Sequence, residues 1–198
     1  MVNVYTVLNV SFNHTKEYVY RLKRSLEKNS TVSFNFFCLT NEQLPGINTI
    51  PVSEEGKWAK IELCKPSIKG RIHYMDIDTV LVGNVDFFLN TQASFFCRTW
   101  VDQRRTHVMS LDEEERAAVW DFWTFSRNRI IPNLKGEGSV YDFVSTVTTP
   151  CIQDIHPGKV VSLQEAEPCI PLGCKMVTFS NGKFPKNLDD ENWMKKYW

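Results

Sequence analysis

Apolar and β-branched residues crowd Val2 to Val10, which predicts a first buried strand ahead of the turn-forming Ser11-Phe12-Asn13. From Thr15 to Lys28 the pattern changes to a helical period, with Tyr18, Leu22 and Leu26 four apart on one face. Thr31 to Leu39 predicts a second strand and Asn48 to Val52 a short third, with loop chemistry between them in Thr40-Asn41-Glu42 and Pro45-Gly46. Strand, helix and strand in that order argue for parallel strands joined by a right-handed crossover, and so for an α/β sheet. Lys57 to Cys64 predicts a short helix with Trp58 and Ile61 three apart on its apolar side, and Arg71 to Asp76 the next strand. Further strands are expected over Val80 to Val82, Ala93 to Thr99, Lys159 to Leu163 and Lys175 to Phe179. Helices are expected over Leu111 to Phe125, Val140 to Val147 and the tail Asp189 to Trp198, with Pro132 to Gly138 as a Gly- and Pro-rich loop. The acidic run Asp112-Glu113-Glu114-Glu115 reads as a solvated helix start, where the helix dipole favours negative charge. The aromatic face of the tail reads as one that docks onto the domain.

One run breaks this pattern. Tyr74-Met75-Asp76-Ile77-Asp78-Thr79-Val80-Leu81-Val82 is apolar and strand-like, yet it carries two carboxylates one residue apart. An ionised carboxylate loses several kcal/mol of hydration on burial unless a partner replaces the water, so the pair implies a cation beside it. Hard oxygen donors of this kind suit Mg²⁺ or Mn²⁺. The pair also falls at the carboxyl end of its predicted strand, where open α/β sheets collect their ligands.

Composition narrows the partners. With 198 residues, 42% hydrophobic and 13% aromatic, the chain is expected to form one domain spanning residues 1–198. Its 23 basic and 23 acidic residues leave no net field to attract a polyanion, which disfavours nucleic acid as the main partner. Met1 to Val10 lacks the basic lead and small-residue cleavage site of a signal peptide, and no run approaches the roughly 18 apolar residues of a membrane span, so a cytoplasmic location is expected. Cys38 and Cys97 lie inside apolar runs and are expected as buried free thiols. Cys169 and Cys174 flank Pro171 and Gly173 without a second close pair or a nearby histidine, so zinc is not expected.

With its elements in this order the sequence resembles the GT-A nucleotide-sugar glycosyltransferases, most closely glycosyltransferase family 8 and related small bacterial enzymes. Tyr74 to Leu81 with Val82-Gly83-Asn84-Val85-Asp86 resembles the family's Asp-x-Asp block almost position for position. Asn9-Val10-Ser11-Phe12 resembles the segment that holds base and ribose, and Gly56 to Ile61 the helix start whose lysine faces the donor. Gly136-Glu137-Gly138 resembles a Gly-Asp-Gln turn, and Phe179 to Lys186 the family's late His-x-Gly-x-x-Lys-Pro element. The resemblance implies a single α/β domain of the GT-A type, with a mixed, mainly parallel sheet flanked by helices. It implies transfer of a sugar from a nucleoside-diphosphate sugar, a UDP-sugar by expectation, with retention and with Mn²⁺ or Mg²⁺. Carried over by position, Asp78 is the firmer metal ligand and Asp76 a second that also meets the ribose. Asn9, Ser11, Lys60 and either Lys183 or Lys186 contact the donor, and Glu137 acts near the substrate. The family's late histidine ligand is replaced by Ser180 or Asn181, and Asn181 is taken as the third metal ligand. Its Asn-Ser-Ser segment near the acceptor is replaced by Arg104-Arg105-Thr106-His107-Val108-Met109, so the acceptor stays open among glycan, lipid-linked sugar, protein and modified nucleic acid.

Two other readings compete. Asp76-x-Asp78 also fits the nucleophile motif of haloacid-dehalogenase-like phosphatases, in which Asp76 would be phosphorylated; that motif normally closes the first strand of its domain, whereas here a strand-helix-strand unit precedes it. The other is a non-catalytic sugar-nucleotide-binding relic. For single residues, Trp58 reads as packing, His107 equally as a core or a catalytic histidine, and His156 before Pro157-Gly158 as a turn residue.

Overall fold

The computed structural model describes residues 1–8, 14–130, 149–179 and 193–198. Its strands are β1 (Val2–Val7), β2 (Phe34–Leu39), β3 (Asn48–Ile50), β4 (Ile72–Met75), β5 (Val80–Leu81), β6 (Phe95–Arg98), β7 (Arg104–Leu111), β8 (Val160–Ser162) and β9 (Met176–Thr178). Six of them form a central sheet in the order β3-β2-β1-β4-β7-β6. The pairs from β3 to β4 are parallel, while β7 runs antiparallel to both β4 and β6. β5, β9 and β8 form a second, smaller sheet. This is the expected mixed, mainly parallel α/β arrangement.

Strand alternation sorts the core onto two faces. Val4, Phe36, Cys38, Met75, Phe95, Cys97 and Val108 pack on one face with α1 (Lys16–Asn29), whose Tyr18, Val19, Leu22 and Leu26 are buried as the period predicts. α2 (Asp86–Asn90) covers the same face through Phe88 and Leu89. Tyr5, Leu39, Ile72, Tyr74, Phe96, Met109 and Leu111 pack on the other face, against the 3-10 helix Gly56–Cys64 and α3 (Glu113–Ile130). A third cluster, with Val80, Val177, Leu163, Trp193 and Met194, fills the small sheet.

Two sequence expectations change, and the expected solvated helix start at Asp112 to Glu115 gains a cap. Residues 104–111 form β7, a strand that the polar opening Arg104-Arg105-Thr106-His107 concealed, so α3 begins at Glu113 and Leu111 closes the strand. The expected helix over Lys57 to Cys64 is a 3-10 helix, in which residues three apart are stacked, and this seats Trp58 on Trp123 with ring centroids 5.2 Å apart. The acidic run is a reciprocal cap: Glu115 N–H donates to Asp112 Oδ1 at 2.9 Å, and Asp112 N–H to Glu115 Oε2 at 3.1 Å. The tail forms a helix over Met194–Tyr197, while the expected loop over Pro132 to Gly138 and helix over Val140 to Val147 lie outside the described residues. Cys38 and Cys97 are buried free thiols, as their apolar settings predict. Among the described residues no helix is long and apolar enough to cross a membrane.

Candidate active site

β4 ends at Met75, and Asp76 to Thr79 form the tight turn into β5, closed by the Thr79 N–H donating to the Asp76 carbonyl at 3.0 Å. The Asp pair therefore stands at the carboxyl edge of the central sheet, where it hands over to the small sheet. Tyr74 and Asp76 are two apart and project to the same face, the one covered by the 3-10 helix. On the neighbouring strand His107 shares that face with Met109 and Leu111, and its carbonyl accepts from the Asp76 N–H at 2.8 Å.

These placements bring four side chains together. Lys60 Nζ lies 2.7 Å from Asp76 Oδ1, which also accepts from the Tyr74 hydroxyl. His107 Nδ1 lies 2.8 Å from Asp76 Oδ2. The Lys60 ammonium also sits 5.3 Å from the centroid of the Tyr74 ring. Burial alone would raise the Asp76 carboxyl, but the Lys60 ammonium and the hydrogen bond and charge of His107 outweigh it and hold Asp76 well below the usual carboxylate range. Tyr74 is pushed well above its ordinary value, first by burial and then by the Asp76 charge, so it stays a hydroxyl donor.

The elements carrying this cluster are braced from below. Glu62, 1% exposed on the 3-10 helix, accepts from the Ser53 N–H at 2.6 Å and the Ser53 hydroxyl at 3.0 Å, and pairs with Lys65 at 2.5 Å. Arg116 of α3, also 1% exposed, donates to the carbonyls of Leu63, Ile68 and Gly70, closing the loop between the 3-10 helix and β4. Asp86, the last position of the Asp-x-Asp block, is occupied structurally: it accepts from Ser30 Oγ at 2.7 Å, Thr31 N–H at 2.9 Å and Asn84 Nδ2 at 3.0 Å.

Of the expected site residues, the structure joins Lys60 to Asp76 and places Asp78, 8% exposed, in the same turn. Asn9, Ser11, Glu137, Asn181, Lys183 and Lys186 lie outside the described residues. His156 is a turn residue, capping the helix Ile152–Ile155 and bonding Thr91 Oγ1 at 2.7 Å. The roles of Tyr74 and His107 beside Asp76 are additions; the two-residue spacing of Tyr74 and Asp76 was the available signal for one, whereas the other depends on strand pairing. Two hard carboxylates suit a divalent cation. Asp76 already uses both oxygens on protein donors, and of a carboxylate's roughly four lone-pair sites about one remains for an ion. Among the described residues no group of three or more His, Cys, Asp or Glu stands ready to hold a metal.

Solved structures share the fold. The galactosyltransferase LgtC in complex with donor and acceptor sugar analogues matches with a TM-score of 0.69 at 9% identity, over 98% of this chain and 93% of that chain. The chain has the GT-A fold. The glycosyltransferase GlyE of Streptococcus pneumoniae TIGR4 shares the fold with a TM-score of 0.63 at 10% identity, over 94% of this chain and 56% of that one, so this chain spans little more than half of GlyE. A glycosyltransferase involved in the glycosylation of the major capsid of PBCV-1 matches with a TM-score of 0.55 at 12% identity, over 89% and 92% of the two chains. No protein-family model and no curated protein sequence matches the chain. At these identities the GT-A likeness concerns the path of the backbone.

Proposed function

We propose that the protein is a glycosyltransferase that takes a sugar from a nucleoside-diphosphate sugar, a UDP-sugar in the first instance, and uses Mn²⁺ or Mg²⁺. The observation that carries this reading is the Asp76-Asp78 turn at the carboxyl edge of β4 in a GT-A fold. Asp78 is the principal ion ligand and Asp76 contributes at most one oxygen, with Asn181 as the third ligand. A divalent cation held there would supply the positive charge that offsets the negative charge of a diphosphate leaving group.

The chain's own residues do the rest. Lys60 and His107 fix the Asp76 carboxylate from opposite oxygens, and the Tyr74 hydroxyl locks its rotamer, so the carboxylate meets the donor already oriented. By the family resemblance, either Lys183 or Lys186 would supply the cationic contact to the diphosphate, Asn9 and Ser11 the contacts to base and ribose, and Glu137 a contact to the substrate. Retention is the expected stereochemical outcome, and the cytoplasm the expected site of action. The phosphatase reading loses ground, because its motif normally closes the first strand of its domain and here Asp76 follows β4, after a strand-helix-strand unit.

The test is a thermal-shift screen of nucleotide sugars with and without Mn²⁺. A stabilising ligand raises the melting temperature by mass action, so UDP or a UDP-sugar should give a metal-dependent shift that Asp78→Ala abolishes. Slow hydrolysis of that donor should disappear in the same variant. Release of phosphate from p-nitrophenyl phosphate would instead favour the phosphatase, and nucleotide binding without turnover of any donor would favour the relic.

A further inference from the structure

A cavity of about 470 Å³ opens on the α1 side of the central sheet, between α1, the residues Thr79 to Leu81 and the tail helix Met194–Tyr197. Lys60, Asp76 and His107 cluster on the other side of that sheet, against the 3-10 helix. Spacings of three and four put Arg21, Arg24 and Lys28 in one stripe of α1 along the cavity wall, and Lys196 of the tail helix lines it too. Against these four cations Glu17 is the single acidic side chain among the described lining residues. The chain as a whole carries 23 basic and 23 acidic residues, so the excess of positive charge is local to this cavity.

Glu17 organises the basic wall without neutralising it. Its Oε1 accepts from Arg21 Nε at 3.3 Å and from Arg24 Nη2 at 2.6 Å, so one carboxylate holds two guanidinium groups side by side and cancels the charge of one. The Arg21 guanidinium is also held over the Trp198 ring, 5.5 Å from its centroid. A second observation comes from the cavity's inner end. Thr79 lines it, is 1% exposed, and its hydroxyl is buried with no hydrogen-bond partner. The Thr79 N–H already closes the Asp turn on the Asp76 carbonyl, so the hydroxyl is the polar group left over. An unpaired buried hydroxyl costs stability, and beside a basic wall it is a donor in want of an anion.

We propose that this cavity is a second anion site, which takes the phosphoryl group of a phosphorylated ligand between Arg21, Arg24 and Lys28 with the Thr79 hydroxyl as a further donor. Guanidinium forks present paired N–H donors that match phosphate oxygens, and the ammonium groups add point charges. A phosphate with close to two negative charges offsets more of the local excess than a single carboxylate does. The volume falls in the range of about 300–1,000 Å³ common to small-molecule sites and exceeds a bare phosphate, which leaves room for the body of the ligand beside Leu22 and Trp198. A soluble phosphate ester and a phospholipid headgroup share this chemistry. The inference goes beyond the glycosyltransferase reading and does not depend on it.

The experiment titrates inorganic pyrophosphate into the protein in EDTA, where no divalent ion can hold a diphosphate at Asp76 and Asp78, and reads calorimetry and the melting temperature. Pyrophosphate should bind and raise the melting temperature, and Arg24→Gln combined with Lys28→Gln should weaken it about tenfold or more. Both of those side chains are exposed, so the double variant keeps its fold. Thr79→Val, which changes no charge, should weaken binding as well. Lys23→Gln combined with Lys69→Gln removes the same charge outside the cavity and should leave binding unchanged. Equal weakening by that control means an adventitious ion only and overturns the proposal. So does the absence of binding, equal binding by the Arg24 and Lys28 double variant, or binding that Asp78→Ala abolishes, since the diphosphate would then sit at the Asp turn. Vesicles of phosphatidylcholine with and without phosphatidic acid decide the source of the phosphate. Cosedimentation with phosphatidic acid that the double variant loses assigns it to a lipid headgroup, and pyrophosphate binding without cosedimentation assigns it to a soluble ester.

Discussion

Asp76 is the residue on which most of the site's charge converges. Its carboxyl lies well below its ordinary range: burial pulls it upward, and the Lys60 ammonium with His107 pulls it further down. A depressed carboxyl stabilises the fold at pH values above its unfolded value of about 4 and loses that contribution as pH falls through the folded value. Lys60→Met removes the dominant stabilising charge from a pair whose side chains are both 18% exposed. We expect it to cost about 2 kcal/mol at pH 7 by urea unfolding, and to flatten the acid-side loss of stability below about pH 4. Lys60→Met combined with Asp76→Asn should recover part of that cost, since the unpaired carboxylate is then gone. A Lys60 that acted only on a bound donor would leave the stability of Lys60→Met unchanged.

At the scale of elements, a buried polar group lies on each side of the central sheet, His73 of β4 on one and Arg116 of α3 on the other. His73, 3% exposed, packs its ring on Phe88 with centroids 5.3 Å apart, and burial together with Arg71 pushes its pKa down to about 4. The ring is neutral in the fold, so its contribution is complete above its unfolded pKa of about 6.5 and is lost as pH falls toward 4. Between pH 6.5 and 5 the wild type should lose about 2 kcal/mol more stability than His73→Asn, as read by urea unfolding across that range. On the other face, Arg116→Met strips the donors from the buried carbonyls of Leu63 and Ile68 and the part-buried carbonyl of Gly70, and should cost about 3 kcal/mol.

Elements of this kind also mark what a sequence can reveal. The period of α1 and the apolar runs of β1, β2 and β4 are local signals, and they were legible. β7 was not, because its first half is polar where the sheet edge meets solvent and only pairing with β4 makes it a strand. For the same reason the Asp pair was legible from its neighbours, whereas His107, 31 residues away from Asp76, could join it only through that pairing.

For the whole molecule, the decisive feature is that the Asp turn joins two sheets, the smaller of which shares the α1 core through Leu81, Val160 and Met176 while Val80, Val161 and Val177 pack in a second cluster. Asp76 leaves the central sheet at β4, and Asp78 is delivered to β5, which pairs with β9 and packs over Trp193 and Met194. The spacing of the two carboxylates thus depends on how firmly the small sheet is held. Trp193 is 9% exposed in that third cluster, and Trp193→Ala should cost about 3 kcal/mol by loss of burial and creation of a cavity. If the small sheet opens before the central one, hydrogen exchange in this variant should rise at Val80, Leu81 and Val177 while Val4 and Phe36 keep their protection. UDP affinity should then fall with it, although Trp193 touches neither Asp76 nor Asp78 in the described contacts. Arg116→Met, a change of similar cost on the opposite face, should leave the exchange of Val80 and Val177 tied to global unfolding. Equal exchange behaviour in the two variants would mean that the two sheets open together and that the turn gains no independent freedom from its second core.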